Sequence, residues 1–159
     1  MKSYCLVLSV LLVSGIAKAD TVVLLPDDQK FSDNEQDIFV KTTIPGNFKT
    51  LEGIAGSLLA LSGDAANTKL SNPFDPATIK SSGHYEGAKD LIFYFHGARR
   101  EENGIVLSFS EEAMRYLNNT SAIQQYVKGT IKRTLLFHFP DEKNIHYEID
   151  GKIVEDWDA

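Results

Sequence analysis

Four histidines, His84, His96, His138 and His146, are the side chains of this chain best suited to proton transfer or metal binding. Their spacing argues against a metal centre. His138 and His146 stand eight residues apart, across an expected helix end and a strand, which is not a recognised zinc spacing. Cysteine gives no help, because the only one is Cys5, inside an apolar leader. His146 falls on the polar side of its strand, and His138 sits near a helix C-terminus, where a positive charge is tolerated. Both read as surface or structural groups.

His96 has more suggestive neighbours. Leu91-Ile92-Phe93-Tyr94-Phe95-His96-Gly97 reads as a hydrophobic strand running into His-Gly. An α/β-hydrolase uses such a strand and loop to aim backbone N–H groups at a tetrahedral oxyanion. The same chemistry needs a serine in a G-x-S-x-G elbow, and no serine here stands in one. The motif is therefore read as a sheet strand with a turn glycine.

Carboxylates are plentiful, with Asp27, Asp28, Asp33, Glu35 and Asp37 in one stretch and Glu155, Asp156 and Asp158 at the tail. A glycosidase would hold two of them ~5–9.5 Å apart across a cleft. Residues 27–37 lack the glycine and terminal glutamate of a calcium loop, and read as solvated surface. Lys128, Lys132 and Arg133 with Arg99 and Arg100 could form a small anion patch, which a polar helix face explains equally well. Asn118-Asn119-Thr120-Ser121 carries two glycosylation sequons, of consequence only in a eukaryotic secretory route. There is no glycine-rich phosphate loop. No catalytic, cofactor-binding or metal-ligating residue is assigned, and no cofactor is expected.

Composition and leader set the compartment. Met1-Lys2 opens the chain, an apolar run follows to Ala17, and Ala17-Lys18-Ala19 offers small residues to a signal peptidase. The run is short of the ~20 apolar residues a membrane span needs. Cleavage after Ala19 is expected, with no lipid anchor, because no cysteine stands at the cut. Loss of Lys2 and Lys18 takes the net charge from −6 to −8, so nucleic acid is excluded as a partner by repulsion from phosphate. The exported product has no cysteine, hence no disulfide, and must stand on its core. Residues 20–159 are expected to form one domain, periplasmic or secreted, with no membrane span after processing.

The elements that must position these groups follow from pattern. Thr21 to Leu25 reads as a strand closed by Pro26, residues 27–37 as a loop, and Ile38-Phe39-Val40 as a short strand. Thr50 precedes Leu51, Ile54, Leu58, Leu59 and Leu61, spaced for one helix face. Residues 62–89 show no period. Asp90 to His96 reads as a strand, 97–103 as a turn, and Gly104 to Phe109 as its hairpin partner. Ser110-Glu111-Glu112 opens a short helix with Met114 and Leu117. Thr120 or Ser121 caps the main helix, to about Leu136, with Ile123, Tyr126, Val127, Thr130, Ile131 and Leu135 on one stripe. Ile145, Tyr147 and Ile149 alternate in a last strand, and Asp150-Gly151 turns it back into Lys152-Ile153-Val154. Ile123, Val127 and Ile131 should lie on a sheet containing Phe93, Phe95, Val106 and Tyr147. The fold class is α+β: a small mixed or antiparallel sheet with two main helices on one face, in the order β-α-β-β-α-β.

Asn103 to Glu112, Ile123 to Leu136, Phe139-Pro140 and Ile145 to Lys152 together resemble the GerMN domain family. The likeness lies in the Gly104-Ile105-Val106-Leu107-Ser108 strand, a Thr134-Leu135 turn at a helix end, and a closing Asp150-Gly151-Lys152. Thr21 to Asp28 and Leu51 to Leu61 resemble its first strand and helix, so most of residues 21–154 is covered. The resemblance implies a non-enzymatic module of the bacterial envelope that binds a protein partner outside the cytoplasm. A small exported hydrolase working through His96 or carboxylates is the alternative.

Overall fold

The computed structural model describes residues 20–62, 70–75, 88, 90–117 and 124–154. The leader, the sequons, His84, the helix-cap residues Thr120 and Ser121, Ile123 and the acidic tail lie outside them. The fold is α+β, and its strands form two sheets. In the first, β1 (Asp20–Pro26) pairs antiparallel with β2 (Phe39–Pro45). Odd-numbered β1 residues such as Thr21, Val23 and Leu25 are buried, as alternation along a half-covered strand requires. Residues 27–37, expected to be a loop, hold a short helix α1 (Asp28–Ser32). Asp27 explains it: its carboxylate accepts from the N–H of Gln29 at 2.9 Å, capping the first turn.

Helix α2 (Leu51–Leu59) begins where Thr50 Oγ1 accepts from the Gly53 N–H, and it buries Ile54, Ala55, Leu58 and Leu59. The second sheet runs β3-β4-β5-β6, with β3 (Phe95–Glu101), β4 (Gly104–Phe109), β5 (Ile145–Ile149) and β6 (Lys152–Val154). Its hairpins are antiparallel, and the central β4–β5 pair is parallel, so the sheet is mixed. A parallel pair needs a long crossover. Helices α3 (Met114–Leu117) and α4 (Gly129–His138) lie in it, α4 being entered through a wide π turn, Gln124–Lys128. Asp150 and Gly151 both have positive φ, the geometry of the two-residue hairpin that their types specify.

Three further expectations need correction. Leu91–Tyr94 is a tight 3-10 turn, not a strand; β3 starts at Phe95, and only Glu102 and Asn103 form the turn to β4. Apolar residues at every position of 91–95 satisfy a strand reading without fixing a face, and Phe93 points outward with 79 % of its surface exposed. Val106 is buried, yet it stands opposite Arg99 and His146 in register, on the sheet face away from the core. Thr134 and Leu135 lie inside α4, which continues to His138 before Phe139 and Pro140 end it.

The core-facing stripe is otherwise as expected. Val127, Ile131 and Leu135 are buried with Ile105, Leu107, Phe109 and Tyr147 of the four-stranded sheet and with Ile54 and Leu58 of α2. Gly104 closes the arrangement at the sheet's lower end. A Cβ there would strike the Asn144 carbonyl, which accepts from the Ile105 N–H at 3.0 Å, and Gly104 φ is +138°.

Candidate functional site

The two expected groupings of charge come apart in space. Arg99 does not face solvent as a free cation: its Nη1 and Nη2 donate to both carboxylate oxygens of Glu148, at 3.1 and 2.6 Å, and its Nε to Glu101 at 2.7 Å. Ser108, on the strand between, donates to Glu148 at 2.8 Å. These bonds hold the Glu148 carboxyl below its usual range, Arg99 first and Ser108 second. Arg100 pairs with Glu142, and Arg133 lies 3.6 Å from Asp37 while its guanidinium covers the Phe39 ring. Three of the five cations of the supposed anion patch are thus engaged by carboxylates.

The histidines also separate. His138 Nε2–H donates to the Val22 carbonyl at 2.7 Å, tying α4 to β1, and His146 Nε2–H donates to the Asn103 carbonyl at 3.1 Å. Among the described residues no group of three or more His, Cys, Asp or Glu is placed to hold a metal ion.

One end of the four-stranded sheet does gather side chains with functional potential. The 3-10 turn Leu91–Tyr94 meets the chain leaving β4, and the Ser110 N–H donates to the Tyr94 carbonyl at 3.0 Å. That contact sets Tyr94 beside Tyr116 of α3, their rings stacked with centroids 6.2 Å apart. The Arg115 guanidinium lies over both rings, 4.6 Å from the Tyr116 centroid and 5.8 Å from that of Tyr94. It donates to the Tyr116 hydroxyl at 2.6 Å, and that hydroxyl donates to Asp90 at 3.1 Å. Phe93 projects from the same turn.

His96 and Ser110 stand on the flank of this cluster. A register shift between Phe95 and Gly97 puts His96 at a bulge, where its ring is exposed. Ser110 Oγ donates to Glu112 at 2.6 Å, and His96 is close enough for its charge to act on Glu112. No hydrogen bond joins His96 to Ser110 or Glu112 among the described residues. A serine whose proton points at a carboxylate, with the imidazole unbonded, lacks the base-to-nucleophile contact of acyl transfer.

The electrostatics run the same way. Glu112 is held below its usual range, chiefly by the Ser110 hydrogen bond, so it is a weaker base. Tyr116 is pushed up, chiefly by burial and then by its bond to Asp90, so it is a weaker acid. Acid–base catalysis needs groups tuned toward the working pH, and these are tuned away from it. Asp90, Tyr94, Arg115 and Tyr116 had no signal in the sequence, since the tertiary approach of two turns makes the cluster.

Comparison with family profiles, with curated proteins and with solved structures finds no match to this chain. No helix among the described residues is long and apolar enough to cross a membrane.

Proposed function

We propose that the chain is an exported, non-catalytic module of the cell envelope, GerMN-like in kind, that binds a protein partner through the aromatic end of its four-stranded sheet. The observation that carries the reading is Phe93, 79 % exposed and next in the chain to Tyr94 of the stacked Tyr94–Tyr116 pair, over which Arg115 lies. A single exposed apolar residue is ordinary on a protein surface. An exposed aromatic next to two further aromatics and an arginine has the composition of an interface hot spot. Stacking and hydrogen bonds already order the three supporting side chains, so little further entropy is lost when a partner docks. The leader and the sequence resemblance support the compartment and the kind of module.

A capture experiment from the native envelope tests this. The wild-type protein and the Phe137→Ala variant, altered at an exposed aromatic of α4, should retain the same partner, and Phe93→Ser should lose it at least tenfold. Equal capture by all three would sink the reading.

Ser110, bonded to Glu112 with His96 within electrostatic reach, leaves a second reading, a small exported hydrolase. On that reading Ser110→Ala abolishes turnover of ester or peptide substrates by the purified protein. On the first it changes nothing, because there is no turnover to lose.

A further inference from the structure

Along the edge of β1 that faces away from β2, backbone groups are met in turn by side chains of α4. His138 donates to the Val22 carbonyl, and one turn earlier Thr134 Oγ1 accepts from the Leu24 N–H at 2.9 Å. Four residues of helix advance ~6 Å and two of strand ~6.8 Å, so the two ladders keep step over a few rungs. The rung between, at Thr130 and Pro26, follows from its neighbours: Thr134 meets Leu24, and the Tyr126 hydroxyl donates to Asp28 at 2.9 Å. Here the pattern fails for a covalent reason, because proline has no N–H to give. The Pro26 carbonyl is met instead by the Ser71 N–H at 2.9 Å, as the segment at Leu70–Ser71 takes over the cover of β1 from the helix.

Two hydroxyls are left at this junction. Thr130 Oγ1 and Ser71 Oγ belong to residues with 0 % exposure, and neither has a hydrogen-bond partner among the described residues. A carbonyl oxygen has two lone pairs, and Ser71 N–H uses one of those on Pro26. We propose that Thr130 Oγ1, Ser71 Oγ and the second lone pair of the Pro26 carbonyl hold one buried water molecule. The water donates to the carbonyl and to one hydroxyl and accepts from the other, which is the three-bond environment usual for an internal water. It fills the rung that Pro26 cannot make. The site is independent of the proposed interaction surface.

A crystal structure of the protein at a resolution that shows ordered solvent tests the site, with the Thr130→Val/Ser71→Ala double variant solved alongside. Expected is one water within hydrogen-bond reach of all three atoms in the wild type and none in the double variant. Two results would overturn the proposal: hydroxyls bonded to each other or to main-chain carbonyls with no water present, or a water that persists in the double variant.

Discussion

One edge of each sheet, at β1 and at β3, is protected in an opposite way. Beyond β1 the edge is half-buried and met by side-chain and main-chain groups of Thr134, His138 and Ser71. At β3 the edge strand carries Arg99, Arg100 and Glu101 at the surface, with the two arginines in ion pairs. Both devices keep a row of unpaired backbone groups from recruiting another strand. They differ in what a single atom is worth. A buried backbone group that loses its partner keeps its whole desolvation cost, whereas water replaces a lost surface charge pair. The β1 edge should therefore be sensitive to small isosteric changes and insensitive to salt, and the β3 edge the reverse.

The largest expected effect comes from loosening the helix that covers β1. Ile131, 1 % exposed, anchors α4 in the core, and Ile131→Ala should cost ~2–5 kcal/mol in denaturant melts. Next is Thr134→Val, nearly unchanged in shape, which leaves the Leu24 N–H without an acceptor and should cost ~1–3 kcal/mol. Thr130→Val strips no backbone partner and should cost clearly less. Equal melts for the two threonine variants would break the account of the β1 edge.

At the β3 edge, Arg99→Gln should lower the denaturant midpoint only slightly at neutral pH, and by less still in high salt. Its signature is in acid. The folded Glu148 pKa is depressed, so its stabilising contribution is present above the unfolded value near ~4.3 and is lost as pH falls through the lower folded value. Wild-type stability should therefore fall on acidification by more than that of Arg99→Gln, and parallel curves would contradict the pairing. The smallest effect is Lys132→Ala, on the exposed side of α4 next to Ile131, under ~0.5 kcal/mol by the same melts.

Local sequence was a good guide where one residue type has one physical use. Thr50 capped α2 as its position required, Asp150-Gly151 made the hairpin, and the 3.6-residue stripe of Val127, Ile131 and Leu135 faced the core. It misled where apolar residues were continuous. Leu91 to Phe95 fits strand and turn equally by its apolar pattern, and the chain takes a turn closed by the Phe93 N–H on the Asp90 carbonyl, with Phe93 outward and Ser110 docked on Tyr94. The candidate surface was illegible because Asp90 and Tyr94 belong to one turn and Arg115 and Tyr116 to α3, and only their approach makes the cluster.

What the sequence determined by itself is therefore local and periodic: the α+β class, the core stripe of α4, the caps, the hairpin turn and the absence of any disulfide. These depend on backbone geometry and side-chain period, which act over a few residues. Tertiary structure alone decided that the strands divide into two sheets, that β4 and β5 run parallel, and that Arg99, Arg100 and Arg133 are paired with carboxylates. It also decided that Thr134 and His138 complete the edge of a strand more than a hundred residues earlier. Those outcomes depend on which surfaces meet, and meeting is set by burial and hydrogen-bond satisfaction across the whole chain.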